Sequence, residues 1–195
     1  MTSEEWVRDI LGAGFEACTF PASGPDGVER TATLVRHAPG AGAGTARGTG
    51  QGRAVLFLHG WSDYFFNEEL AEFWTGQGFR FYALDMHNHG RSLSAGTHGG
   101  YVADLDDYDA EITAALGIIT ALHPESEPPP AVALMGHSTG GLIAALWASR
   151  HSGMVSQLIL DSPWLEMHGS PAVRRAARTM VEPLARFWPE AVIRL

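Results

Sequence analysis

The 195-residue chain carries thirteen basic residues, all arginine, against twenty-two acids, a formal charge of −9. Without lysine it can build neither a P-loop, nor a kinase strand lysine, nor a Schiff-base nucleophile. Its acidity is opposite to the basic stripes that hold nucleic acid, and one cysteine, Cys18, cannot form an internal disulfide.

Taken in chain order, the start shows no basic stretch followed by an apolar one, and no run approaches the ~18 apolar residues of a membrane span. The expectation is a soluble, cytoplasmic protein. Residues 28–37 read as a strand. Residues 39–52 are rich in Gly and Ala without apolar periodicity, which predicts a flexible loop. The run 54–58 is continuously apolar and ends at His59-Gly60, the pattern of a buried parallel strand. Residues 67–77 are helix-like, with Leu70, Phe73 and Trp74 on one face. A strand follows at 79–84. Residues 104–122 form a long amphipathic helix carrying Leu105, Tyr108, Ile112, Ala115 and Ile119. Prolines 128–130 break the chain before a buried strand at 131–135. A helix at 140–149 and a strand at 155–160 complete the alternation. Strands alternating with helices predict an α/β fold, with a mostly parallel sheet covered on both faces.

Residues 171–195 carry five arginines and two acids, in contrast to the acidic remainder. Val173, Ala177, Met180, Leu184 and Phe187 recur at helical spacing. The expected division is a core of 1–170 and a lid or cap helix beginning at 171. Contact of that basic amphipathic helix with anionic lipid is the sharper, weaker reading.

Gly136-His137-Ser138-Thr139-Gly140 fits G-x-S-x-G, between an apolar strand and a helix. The motif makes Ser138 a nucleophile on a sharp, strained strand-to-helix turn. The small glycines let strand and helix approach. At the helix N-terminus the N–H of Thr139 would meet developing negative charge. The loop His59-Gly60-Trp61 would supply the second oxyanion donor, the N–H of Trp61, with His59 as a structural pin. His87-x-His89 has metal-like spacing, but Gly90-Arg91 occupy the place where further ligands would stand, so no metal and no cofactor are expected.

These segments together resemble the α/β-hydrolases, in the branch of monoacylglycerol lipases, lysophospholipases and serine aminopeptidase-like proteins. The matching stretches are 56–60, 85–92, 101–108 with Asp104, and 136–141. In the second of these, His87 and Asn88 stand where the family usually has Arg and Gly, so a buttressing arginine is missing. The resemblance implies an order of Ser, then Asp or Glu, then His, with acid and base after the seventh and eighth strands. After Ser138 the histidines are His151 and His168, and neither is so placed. The expectation is therefore a sheet lacking its last two strands and a chain that is a poor catalyst alone. Asp161, ending the strand at 155–160, is the candidate acid. A capping role before Pro163 is its bland alternative.

Two classes of function follow. One is a serine hydrolase of carboxylic esters, its acyl surface drawn from Trp61, Tyr64, Phe65, Phe66 and Trp164, with Tyr64, Phe65 and Trp164 as substrate-binding candidates. Its runner-up is a serine peptidase. The other class is a non-catalytic product or binding module on the same scaffold. The expected partner is a small ester, including lipid esters. The strand at 155–160, left as an unguarded apolar edge, predicts self-association.

Overall fold

The computed structural model describes residues 5–24, 26–38, 50, 52–97, 99–123, 131–166 and 170–187. Most of the glycine-rich loop at 39–52, the prolines at 128–130, His168 and residues 188–195 lie outside them. The chain divides into two compact units, Met1–Pro163 and Trp164–Leu195.

The first unit is built on one seven-stranded sheet. Its strands are β1 (Val7–Arg8), β2 (Phe15–Ser23), β3 (Glu29–His37), β4 (Arg53–Leu58), β5 (Arg80–Asp85), β6 (Ala131–His137) and β7 (Gln157–Asp161), in the order β1-β2-β3-β5-β4-β6-β7. β5, β4, β6 and β7 run parallel. β1, β2 and β3 pair antiparallel, and β3 joins β5 antiparallel. The helices are α1 (Glu68–Gly76), α2 (Asp109–Ala121) and α3 (Thr139–Arg150). This is the α/β-hydrolase architecture.

The period-2 alternation of a strand decides which residue meets which helix. Leu56, Leu58, Leu84 and Leu134 face α2 and α3, where Ile112, Ile119, Ile143 and Trp147 close one core. Val55, Phe57, Phe81 and Ala133 face the other way, against Phe65 and Ala71 beside α1. The α1 face differs from the sequence expectation. Ala71 is buried, Leu70 and Trp74 pack beside it, and Phe73 is exposed. The stretch expected as a single helix from 104 starts instead as a 3-10 turn, Leu105–Tyr108, before α2. Asp104 caps that turn by accepting from the N–H of Asp106.

The second unit contains α4 (Pro171–Phe187). Pro171 begins it, where a missing N–H costs nothing. Pro183 lies within it and removes one backbone bond to Thr179. No helix of the described residues is long and apolar enough to cross a membrane.

Candidate active site

β6 runs into α3 through Ser138, whose φ of 53° and ψ of −119° lie outside the regions open to ordinary residues. The two neighbouring glycines explain how the turn closes. A Cβ on Gly136 would stand 2.3 Å from the carbonyl oxygen of Gly140. One on Gly140 would stand 2.3 Å from the carbonyl oxygen of His59 and 2.4 Å from that of Leu58. Strand, helix and the loop after β4 therefore meet at a distance no side chain permits. The N–H of Ser138 donates to the carbonyl of Asp161, 3.0 Å away, which ties the turn to the end of β7.

The loop after β4 lies against the serine: a Cβ on Gly60 would be 3.4 Å from Ser138 Cβ. His59 is fully buried and fixes this loop. The N–H of Met86 donates to its Nε2 at 3.2 Å, so the ring proton sits on Nδ1 and is donated to the Gly60 carbonyl at 2.7 Å. Burial pushes the His59 imidazole down to about 4, with the nearby His89 ring the next cause. It is therefore neutral at physiological pH. The Gly60 carbonyl and the Trp61 N–H belong to one planar peptide and point in opposite directions. Holding the carbonyl toward His59 thus turns the Trp61 N–H away from it. Among the described residues, neither that N–H nor the N–H of Thr139 has an acceptor.

Asp161 comes to the same edge. It stands opposite His137 in the parallel register, and Nδ1 of His137 lies 2.9 Å from its Oδ2. Ser162 Oγ donates to its other oxygen at 3.2 Å. The sequence reading missed His137 as the partner of Asp161. Both residues end neighbouring parallel strands, and only the register between those strands brings them together. Among the described residues no side chain hydrogen-bonds Ser138 Oγ. His151 sits at the far end of α3, stacked on Trp147 and held by Asp109 at 3.0 Å. His168 lies outside the described residues.

The aromatic candidates separate. Trp61 is 71% exposed, its indole N–H donating to the Gly100 carbonyl at 3.3 Å. Tyr64 and Phe66 are exposed, with ring centroids 5.6 Å apart. They border a cavity of about 500 Å³ that Phe57, Met135, His137 and Asp161 also line. Phe65 also lines this cavity, but its side chain is 1% exposed and packs against Phe15, Phe57 and Phe81. Its backbone is held by the buried polar groups beneath the loop, the N–H donating to Asp85 and the carbonyl accepting from Arg91. Trp164 is exposed and belongs to the second unit.

The loop after β5, singled out in the sequence, is tied to the body by partners that the sequence did not disclose, Glu111 and Asp9. Where the arginine was expected, His87 donates from its backbone N–H to Glu111 at 2.9 Å, and its ring pairs with the same buried carboxylate. Buttressing passes to Arg91, which grips Asp9 through two bonds of 2.6 and 2.7 Å and Asp85 at 2.8 Å. His89 donates to the His87 carbonyl at 2.9 Å. Asn88 and Gly90 take φ of 60° and 46°. A Cβ on Gly90 would come within 2.4 Å of Asp85 Oδ2.

The sheet order is that of an α/β-hydrolase, and the sharp serine turn lies at the carboxyl edge of its parallel strands. Residues 51–194 match the family described as serine aminopeptidase, S33 (Hydrolase_4), and the chain belongs to that family. A non-heme haloperoxidase of Rhodococcus erythropolis is 36% identical over 118 residues, 57% of this chain and 37% of the relative. A monoacylglycerol lipase of Mycolicibacterium smegmatis is 29% identical over 129 residues, 65% of this chain and 44% of the relative. The fold is similar to that of a soluble variant of monoglyceride lipase from Saccharomyces cerevisiae, with a TM-score of 0.59 and 16% identity, over 97% of this chain and 54% of that one. The chain spans less than half the length of the two curated relatives.

Proposed function

We propose that this chain carries the nucleophile and oxyanion donors of a serine hydrolase acting on carboxylic esters, of the monoacylglycerol or lysophospholipid kind. The observation that carries the reading is Ser138 at φ 53° on the turn from β6 into α3, with Gly60 against its Cβ. Ser138 Oγ adds to the ester carbonyl carbon while an imidazole takes its proton. The carbonyl oxygen becomes an oxyanion, which the N–H groups of Trp61 and Thr139 receive. The C–O bond to the alcohol then breaks and the imidazole returns the proton to it. Water hydrolyses the acyl-serine by the same steps in reverse order. The similarity to a monoacylglycerol lipase and the aromatic border of Tyr64 and Phe66 support an acyl substrate over a small polar one.

Among the described residues no imidazole hydrogen-bonds Ser138 Oγ, and our reading is that the 195-residue chain alone is a weak catalyst. It works at the residual level that an oxyanion hole leaves when a triad is incomplete. The family description favours a second reading, a peptidase using the same serine. Purified chain assayed on p-nitrophenyl esters and on amino-acid p-nitroanilides separates the two. Slow ester turnover, lost in Ser138→Ala, is expected. Turnover of the anilides alone would establish the peptidase. A kcat near ~10 s⁻¹ would show that a base is already in place, with His168 the first to replace.

A further inference from the structure

We propose that Asn88 is a positioning residue for the oxyanion donor of Trp61, acting on the Trp61 side chain through a strap formed by residues 99–101. The inference rests on the oxyanion role given above to the Trp61 N–H. Two holds meet on the peptide between Gly60 and Trp61. His59 takes the carbonyl end at 2.7 Å. The second hold acts through the side chain, where the indole N–H of Trp61 donates to the Gly100 carbonyl at 3.3 Å. Asn88, in the turn after β5, fixes that carbonyl. Its backbone carbonyl accepts from the N–H of Gly100 at 2.8 Å, and its side-chain amide donates to the carbonyl of Tyr101 at 2.9 Å. Asn88 thus holds the peptide before and the peptide after the one that carries the Gly100 carbonyl. Peptide units are planar, so two fixed neighbours leave the middle one little freedom to turn.

The strap lies close against what it holds. A Cβ on Gly100 would stand 3.1 Å from Trp61 Nε1 and 3.7 Å from His89 Nε2. Gly100 also takes φ of 74°, which a side chain would strain. The His89 ring centroid is in turn 4.7 Å from that of His59, so both holds share one packed unit. Asn88 itself sits at φ 60°, where glycine is at ease and asparagine is tolerated. The turn by itself calls for no amide. Glycine there would keep the backbone bond to Gly100 and lose only the bond to Tyr101. An oxyanion donor works by being aimed before charge develops. A hydrogen bond remote from the ester can therefore change the rate without touching substrate.

Two variants cut this chain of contacts at different links. Asn88→Gly removes the amide and keeps the turn. Trp61→Phe removes the indole N–H and keeps the backbone donor. In steady-state hydrolysis of p-nitrophenyl esters by the 195-residue chain, each should lower kcat by roughly three- to tenfold, the rate equivalent of one ordinary hydrogen bond. KM should stay as it is. The double variant should lose no more than either single one, since both act through one latch. In a proton–nitrogen correlation spectrum the Trp61 indole signal, assigned by its absence from Trp61→Phe, should move upfield in Asn88→Gly. Circular dichroism checks that the fold is kept. Should Asn88→Gly not fold, Asn88→Asp, which tolerates the same φ and has no amide to donate, takes its place. Turnover that depends on Ser138 but is unchanged in Asn88→Gly would overturn this proposal alone, as would additive losses in the double variant or an indole signal that does not move. Turnover that is absent, or that survives Ser138→Ala, would overturn the reading of the serine and this proposal with it.

Discussion

At the scale of single residues the site depends on atoms that are missing. Gly140 has no side chain because two carbonyl oxygens already fill the place. Gly140→Ala should cost about 1–3 kcal/mol through overpacking. That corresponds to a fall in Tm of roughly 2–4 °C for each kcal/mol in a chain of this size. Differential scanning calorimetry checks it, and an unchanged Tm would mean that the loop after β4 does not lie where we describe it. His59 makes a pH prediction of definite sign. Its folded value is about 4 against an ordinary 6.5, so below 6.5 the unfolded chain binds the proton more readily. The stability is fully present above pH 6.5 and is lost as pH falls toward 4, by about 3 kcal/mol in all. Urea unfolding at pH 7 and pH 4.5 measures this. In His59→Asn, which keeps a donor for the Gly60 carbonyl, the pH slope should be shallower. A five-residue motif and a strand end single out Ser138, Trp61 and Thr139 in the sequence, and the roles given to them are our proposal. The partner of Asp161 was not legible there, because it follows from register between strands 24 residues apart.

At the scale of elements, buried polar pairs hold the loops that the helices cannot reach. Glu111 lies on the apolar face of α2 among Ile112, Ala115 and Ile119, and accepts from both the backbone and the ring of His87. Replacing it with Ala leaves two buried donors without acceptors and should cost on the order of 3 kcal/mol. Glu111→Gln keeps one acceptor and should cost less. Chemical denaturation of the two variants checks the order, and equal losses would contradict the pairing. Glu111 was detectable in sequence as an acid in phase with an apolar stripe, since such a residue must find a partner. The central strands were legible because apolar runs of strand length leave little choice. β2 was not read from the sequence, and it carries Pro21, a residue unusual in a strand. β1 pairs only with Ala17 and Glu16, so Pro21 lies on an open edge that tolerates it. Phe73 was misjudged because helical spacing admits both Phe73 and Ala71 beside Leu70 and Trp74, and the close approach of α1 to the sheet favours the smaller residue.

At the scale of the molecule, sheet order converts local signals into a site. β4 and β6 are neighbours although helix and strand separate them in sequence, which is why Gly60 and Ser138 touch. Parallel order also sets all the catalytic candidates at the carboxyl ends of the strands, where this class of sheet binds ligands. The sequence could not convey the loop ties across the first unit, since Arg91 reaches Asp9 over 82 residues. The central claim is that Ser138 is the nucleophile. It is tested most directly by exposing the folded chain to a fluorophosphonate and mapping the adduct by peptide mass spectrometry. We predict a single, slowly formed adduct on Ser138 that Ser138→Ala removes while the fold is unchanged. An adduct on another residue, equal labelling of Ser138→Ala, or no adduct after prolonged exposure would contradict the account.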